Sequence, residues 1–467
     1  MSTRLNAKLI WILVLGLIIL LLPNLLRTYD ARIGQYTYFY ERIIKTNNFN
    51  YDEFSYAGRD FTYDLGPIYF LSTLSKIFNL ETLLNILPII LGLITILLFY
   101  LLLRKLNLEK NEIYLALIFL IISPILFYVF SSYTSFAIIL PIILLTLYLF
   151  LQENKIYKYL SKLFLLLLGF FDYKALIAVL IFMLIYLIKE KKLKQFYSNL
   201  FIAFLSLIIS YLPRIINYNI TYSVKENYFK ILFSDLGGRF GISIFLLFFI
   251  VFGLNHLWKS KYKYLHLYTA FLISILLTIY NKHFLIYSSF FLFYLASLGF
   301  NYLIKYKWES ELIRKLTIAL LIIGFLFSSY SSLIAIKNSQ PNQEMLNALT
   351  DLKAIGSSKD IVFSHYNYGI FINSITDKKN FMDKNFAFSP NFNERYQDMQ
   401  TIFYTRNADK TKELLDRYNI KYILITKEMK EGLVWNEKDE GLLFVIQTSS
   451  EFRRIINNDE VEIWRVR

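Results

Sequence analysis

The 467 residues are 56% hydrophobic and 18% aromatic, which is too apolar for a soluble globular chain, and the absence of cysteine excludes disulfides, thiolate metal sites and a cysteine nucleophile. The net charge of +15 is unevenly placed: from Asn338 onward 18 Lys plus Arg face 19 Asp plus Glu, so the rest of the chain carries +16. Those cations sit in short loops between apolar runs rather than on one folded surface, which argues against a nucleic-acid partner and for a lipid bilayer.

Arg4 and Lys8 precede the first apolar run, 9–26, and no small-residue cleavage site follows it, so the run reads as an uncleaved first span. Further spans are expected at 83–103, 113–130, 134–151, 160–170, 175–188, 196–213, 241–257, 264–280, 284–304 and 313–336. The short windows 160–170 and 175–188 read as a hairpin that turns at Asp172-Tyr173-Lys174, with Asp172 and Lys174 as an ion pair at its tip. With the N-terminus in the cytoplasm, that face collects 19 Lys plus Arg in the N-terminus and short loops, whereas the short loops opposite hold only Lys174 and Lys282. The expected fold is a polytopic α-helical protein of the cell membrane, with about eleven transmembrane helices and two long external loops, 27–82 and 214–240. Residues 1–338 form the membrane domain. Residues 339–467 form an external soluble α/β domain, with helices at 343–354 and 408–418 and strands at 361–364, 421–426, 442–447 and 461–466.

The first external loop carries the densest polar signal, Arg27-Thr-Tyr-Asp30-Ala-Arg32 and later Tyr63-Asp64-Leu-Gly-Pro67-Ile-Tyr69-Phe70. Asp30 follows the first span by four residues, so its carboxylate is tethered at the membrane surface. There a base could meet a lipid headgroup, deprotonate an acceptor hydroxyl or amide, or hold a divalent cation, while nearby Arg and Tyr groups contact phosphate and sugar.

An early span, a Tyr-Asp just after it, an aromatic-rich amphipathic stretch and a Tyr-x-x-Gly-Pro-x-Tyr-Phe opening the next helical segment resemble the GT-C superfamily of membrane glycosyltransferases. The glycine-rich stretch Ser234–Ser243 and Asn281-Lys282-His283 add to the likeness. The resemblance implies a polyprenyl-phosphate or polyprenyl-diphosphate sugar donor, and a protein, lipid or glycan acceptor on the outer face. It implies Asp30 as the catalytic or metal-binding acid, and Arg27, Arg239, Lys282 and His283 as donor-phosphate ligands. Tyr63 and Asp64 would line the sugar or acceptor pocket. Whether a divalent cation, Mg or Mn, takes part is left open. In the tail, Ser364-His365-Tyr366-Asn367-Tyr368-Gly369 is similar to the acceptor motif of oligosaccharyltransferases, making Tyr368 an acceptor candidate; the two Trp and the Asp of that motif are absent.

No Walker loop, His-Glu-x-x-His or Gly-x-Ser-x-Gly occurs, so ATP-driven and zinc- or serine-hydrolase chemistry is not indicated. Two other classes compete with the transferase. A flippase for lipid-linked glycans would place paired ionisable groups mid-membrane, where the spans here are almost uncharged. A non-catalytic scaffold with an external binding domain would have no reason to gather Asp30, Arg239 and Lys282.

Overall fold

The structure is a computed structural model describing residues 7–26, 34–49, 51–60, 65–215, 232–238, 241–385, 392–437 and 439–467. The chain forms two compact units. One is Met1–Leu26, Asp64–Ile215 and Glu226–Asn338; the other is Arg27–Tyr63, Ile216–Lys225 and Ser339–Arg467. In chain order the elements are α1 (Ala7–Leu25), α2 (Gln35–Thr46), β1 (Tyr51–Asp52), β2 (Arg59–Asp60), α3 (Gly66–Ser75), α4 (Leu80–Lys105), α5 (Lys110–Ile122), α6 (Pro124–Phe130), α7 (Ser135–Phe150), α8 (Lys155–Phe171), α9 (Tyr173–Lys189) and α10 (Lys194–Ile215). There follow α11 (Ile244–Trp258), α12 (Leu265–Tyr280), α13 (His283–Lys305), α14 (Glu311–Asn338), α15 (Gln343–Ala354), β3 (Ile361–Phe363), α16 (Gly369–Thr376), β4 (Lys379–Asn380), α17 (Phe392–Tyr404), α18 (Ala408–Arg417), β5 (Ile420–Thr426), α19 (Leu442–Thr448), β6 (Phe452–Asn457) and β7 (Val461–Val466).

The first unit is a bundle of apolar helices. All eleven expected windows fall on helices, with 113–130 divided between α5 and α6. Among the described residues, α1, α4, α13 and the helix that starts at Glu311 are long and apolar enough to cross a membrane, and α5 with α6 would make a fifth crossing. Several others, such as α7, α11 and α12, have 15 or 16 residues, short of the roughly 20 that span 30 Å of hydrocarbon at helical rise.

Side-chain capping sets many boundaries. Asn79, Asn154 and Ser243 each accept a backbone N–H of the helix that follows. Pro124 cannot donate to the preceding turn, so the helix breaks there with a 57° bend. Ser123 caps the new segment, and the freed carbonyl of Ile122 accepts the Ser329 hydroxyl from α14. Small residues let helices close on one another: a Cβ at Gly299 of α13 would lie 2.6 Å from the backbone nitrogen of Gly253 in α11.

The second unit holds a five-stranded sheet of order β4-β3-β5-β7-β6. β3 runs parallel to β4 and β5, and β7 is antiparallel to both β5 and β6. Residues 442–447, expected as a strand, are instead the core of helix α19. A short apolar run is ambiguous by period, and here Leu442, Leu443, Val445 and Ile446 are buried at helical spacing while Phe444 faces out.

The same unit includes α2 and the β1–β2 hairpin from the first loop. Arg42 of α2 clamps Asp52 with two bonds of 2.5 and 2.9 Å, both side chains being at most 5% exposed. Burial alone would raise the Asp52 carboxyl, but the charge and hydrogen bonds of Arg42 and the charge of Arg59 outweigh it and hold the group down at about 2. Arg59 reaches 324 residues along the chain to Asp383, 3.0 Å away with both side chains no more than 1% exposed, and donates to the Asn385 carbonyl. Asn380 completes the join, accepting the Tyr56 N–H at 2.9 Å and donating its own N–H to the Phe54 carbonyl. Arg395 donates to the Tyr56 carbonyl and lies over the Tyr56, Phe381 and Tyr418 rings.

Asp383→Ala removes the carboxylate bonded to the buried Arg59 guanidinium, so it should destabilise this unit by about 3–5 kcal/mol, whereas Arg59→Met with Asp383→Leu should cost far less. Hydrogen exchange at β3 and β4 in the full chain measures both; equal losses would show that the pair carries no such burden.

His365 supplies a pH dependence. Burial, aided by the positive charge of Lys384, lowers its imidazole to about 4. The unfolded chain therefore takes up the proton first, from about pH 6.5 downward. Stability should be complete above that value and fall by up to about 3 kcal/mol as pH drops to about 4. His365→Gln should flatten this branch of a melting-temperature profile, and an unchanged profile would refute the assignment.

Candidate functional site

The strongest polar constellation in the helical unit lies at the turn between α8 and α9. Helix α8 ends at Phe171, and Asp172, in extended conformation, begins the next helix by accepting the Lys174 backbone N–H at 2.7 Å with Oδ1. Its Oδ2 accepts the hydroxyl of Tyr287 from α13. Asp172 is only 6% exposed, so helix cap and tyrosine together satisfy a carboxylate that would otherwise be stranded. Lys174 and Asp172 thus do occupy the hairpin tip, but the Lys174 ammonium points to His283, with Nζ 3.3 Å from Nδ1. An ammonium can only donate, so Nδ1 accepts and Nε2 remains as the ring's donor.

Neighbouring elements fix these groups. The Asn281 side chain accepts the His283 backbone N–H and starts α13. The Phe136 ring meets His283 edge-on at 5.0 Å and Tyr287 at 5.9 Å. Gly66 and Pro67, from the motif that opens α3, pack on the same turn. A Cβ at Gly66 would stand 2.9 Å from the Phe171 ring and 3.0 Å from the Phe170 carbonyl, and the buried Tyr133 hydroxyl donates to the Pro67 carbonyl at 2.9 Å. Glycine is needed at this position for space. The arrangement holds a half-buried ammonium beside an imidazole at the end of a helix pair, a cationic edge suited to an anionic oxygen.

Of the expected site residues, Lys282 is exposed next to this cluster in sequence, and His283 belongs to it. Arg27, Asp30, Tyr63, Asp64 and Arg239 lie outside the described residues. The glycine-rich stretch around Arg239 packs on α14: Gly237 takes φ 89°, a region that favours glycine, and Ser328 donates to the Leu236 carbonyl at 2.9 Å. In the second unit Tyr368 is 8% exposed and its hydroxyl donates to Glu428. Burial, with that bond next in weight, pushes the phenol up. Gln35 donates to the carbonyl of the adjacent Asn367 at 2.6 Å, so the first loop packs on this motif. Among the described residues no group of three His, Asp or Glu is gathered to hold a metal ion.

In sequence Asp172 and Lys174 read as a turn-tip ion pair, and nothing local marks Tyr287 as their neighbour. One signal did mark Lys174: it is one of two cations in the short loops opposite the basic face.

By sequence the chain matches no protein-family model and no curated protein. By structure it matches the oligosaccharyltransferase of Archaeoglobus fulgidus in complex with Zn and sulfate, at 16% identity and TM-score 0.65, over 95% of this chain and 71% of that one. It matches arabinofuranosyltransferase AftD from Mycobacteria at 11% identity and TM-score 0.64, over 100% of this chain and 40% of the other. It matches ArnT from Cupriavidus metallidurans at 8% identity and TM-score 0.57, over 98% of each. The Archaeoglobus protein has also been seen with an inhibitory peptide and a dolichol-phosphate. At these identities the likeness is one of fold alone: the chain shares the architecture of these three proteins, each a GT-C glycosyltransferase, along at least 95% of its length.

Proposed function

We propose that the protein is a GT-C glycosyltransferase that moves a sugar from a polyprenyl-phosphate or polyprenyl-diphosphate carrier to a protein, lipid or glycan acceptor on the outer membrane face. The observation that carries this reading is a fold common to three membrane transferases along at least 95% of this chain. The Lys174–His283 pair supports it with chemistry. Cleaving the bond between sugar and carrier leaves negative charge on a phosphate oxygen, and a fixed ammonium and imidazole N–H stabilise that charge more as it grows. Lys174 therefore joins Lys282, His283, Arg27 and Arg239 as a donor-phosphate ligand. Asp172 and Tyr287 act as positioning residues for the turn that carries Lys174.

Asp30 is assigned as the base that takes the proton from the acceptor nucleophile, leaving the nucleophile free to bond to the anomeric carbon while the phosphate departs. Tyr63 and Asp64 belong to the sugar or acceptor pocket. The buried Tyr368, with its hydroxyl committed to Glu428, suits a supporting role in the acceptor side better than direct contact. Asp30 is also the candidate ligand for a divalent cation; the described residues supply no cluster of acids or imidazoles for one, and no step is routed through it.

The test is release and transfer of labelled sugar from polyprenyl-phosphate donors by the purified chain in vesicles. Asp30→Asn should abolish transfer with thermal unfolding unchanged; full activity in this variant removes the base assignment. Lys174→Met should lower kcat/KM by about 10²-fold or more, and Lys174→Arg should recover part of it. Wild-type turnover in Lys174→Met would separate the cluster from the chemistry, and donor flux without sugar turnover would favour a flippase instead.

A further inference from the structure

Two adjoining cavities lead from Tyr287 of α13 to the basic loops at the other end of the helical unit. The first, of about 190 Å³, is walled by apolar side chains such as Leu103, Leu147, Phe182 and Phe290, and acquires polar groups at Tyr186, Lys189 and His266. The second, of about 580 Å³, shares Phe150, Leu151 and Tyr186 with the first, so the two lie side by side. Its lining is polar. Arg104, Lys105, Lys158 and Lys192 face only Glu153 and Glu190, and Lys192 already stands 4.0 Å from Glu190. Among the described residues no carboxylate forms a salt bridge with Arg104, Lys105 or Lys158. An apolar slot beside a cation-rich vestibule has the polarity profile of one amphiphile with an anionic head.

We propose that these cavities form a binding site for an anionic glycerophospholipid from the leaflet on the basic-loop side. One acyl chain fills the apolar cavity between α4, α7, α9, α12 and α13, where water would find almost no polar partner. The phosphate sits in the vestibule against Arg104, Lys105 and Lys158, while Lys189 and His266 are polar groups of the apolar cavity. The site is independent of the sugar-transfer reading, because it needs only a helical unit embedded in lipid.

The full chain, reconstituted in phosphatidylcholine vesicles with and without phosphatidylglycerol and then extracted in mild detergent, tests this by native mass spectrometry. Phosphatidylglycerol should be retained over phosphatidylcholine and should raise the melting temperature. Replacing Arg104, Lys105 and Lys158 together by Gln should reduce that preference about tenfold or more. Ala270→Phe, which fills the apolar cavity from α12, should remove retention while the folded helical signal persists. Equal retention of both lipids, or retention indifferent to both variants, overturns the proposal. So does the same stabilisation by inorganic phosphate alone, which would make this a simple anion site, or displacement by polyprenyl phosphate but not by phosphatidylglycerol, which would make it a carrier groove.

Discussion

Two buried guanidinium–carboxylate pairs hold the second unit together, and its organisation depends on them. Arg42 with Asp52 shapes the first-loop segment internally; Arg59 with Asp383 joins that segment to residues more than 300 positions later. Both lie almost fully out of water, where ions are expensive unless each lone pair and proton finds a partner. Supporting groups meet that condition in part: Ser55 beside Arg42, the Asn385 carbonyl beside Arg59, and Asn380 bonded to the backbone on both sides, while the Nε of each guanidinium is buried without an acceptor among the described residues. Such pairs specify a geometry more than they stabilise it. Here they select one docking of the first-loop helix and hairpin on the sheet.

In the helical unit a comparable logic operates at a smaller scale. Asp172 is held by a helix cap and by Tyr287, and that bond ties the α8–α9 turn to α13. Tyr287 also lines the apolar cavity between α4, α7, α9, α12 and α13. One aromatic side chain therefore has its hydroxyl committed to the polar turn and its ring exposed to the proposed acyl-chain slot. Packing in that slot bears directly on the residue that orients the cationic pair, Lys174 and His283.

Much of the helical architecture was legible because hydrocarbon-length apolar runs leave a strong one-dimensional signal. Capping residues such as Asn79, Asn342 and Asn407 announce helix starts in the same local way. The bend at Pro124 follows from a missing donor, although its size depends on neighbours. What sequence could not supply was contact between distant segments. Nothing local to Arg59 says that its partner is Asp383, and Asp172 reads as a turn-tip acid until the tyrosine from α13 arrives. In sequence His283 stands out only through the family resemblance, and the ammonium that fixes its ring, Lys174, lies 109 residues away. The misassigned run at 442–447 shows the complementary limit, since six mostly apolar residues fit either period and only burial decides between them.

The span between Arg59 and Asp383 also sets an order of events in biosynthesis. At about 5–20 residues per second, the ribosome adds the intervening 324 residues in roughly 15–65 s. Throughout that interval the first-loop arginine lacks Asp383, so the clasp between hairpin and sheet cannot close until the chain beyond the last apolar helix has emerged. Closure of this clasp therefore reports that the whole helical unit has been translated, and a polypeptide truncated before residue 383 would carry a permanently unsealed first loop.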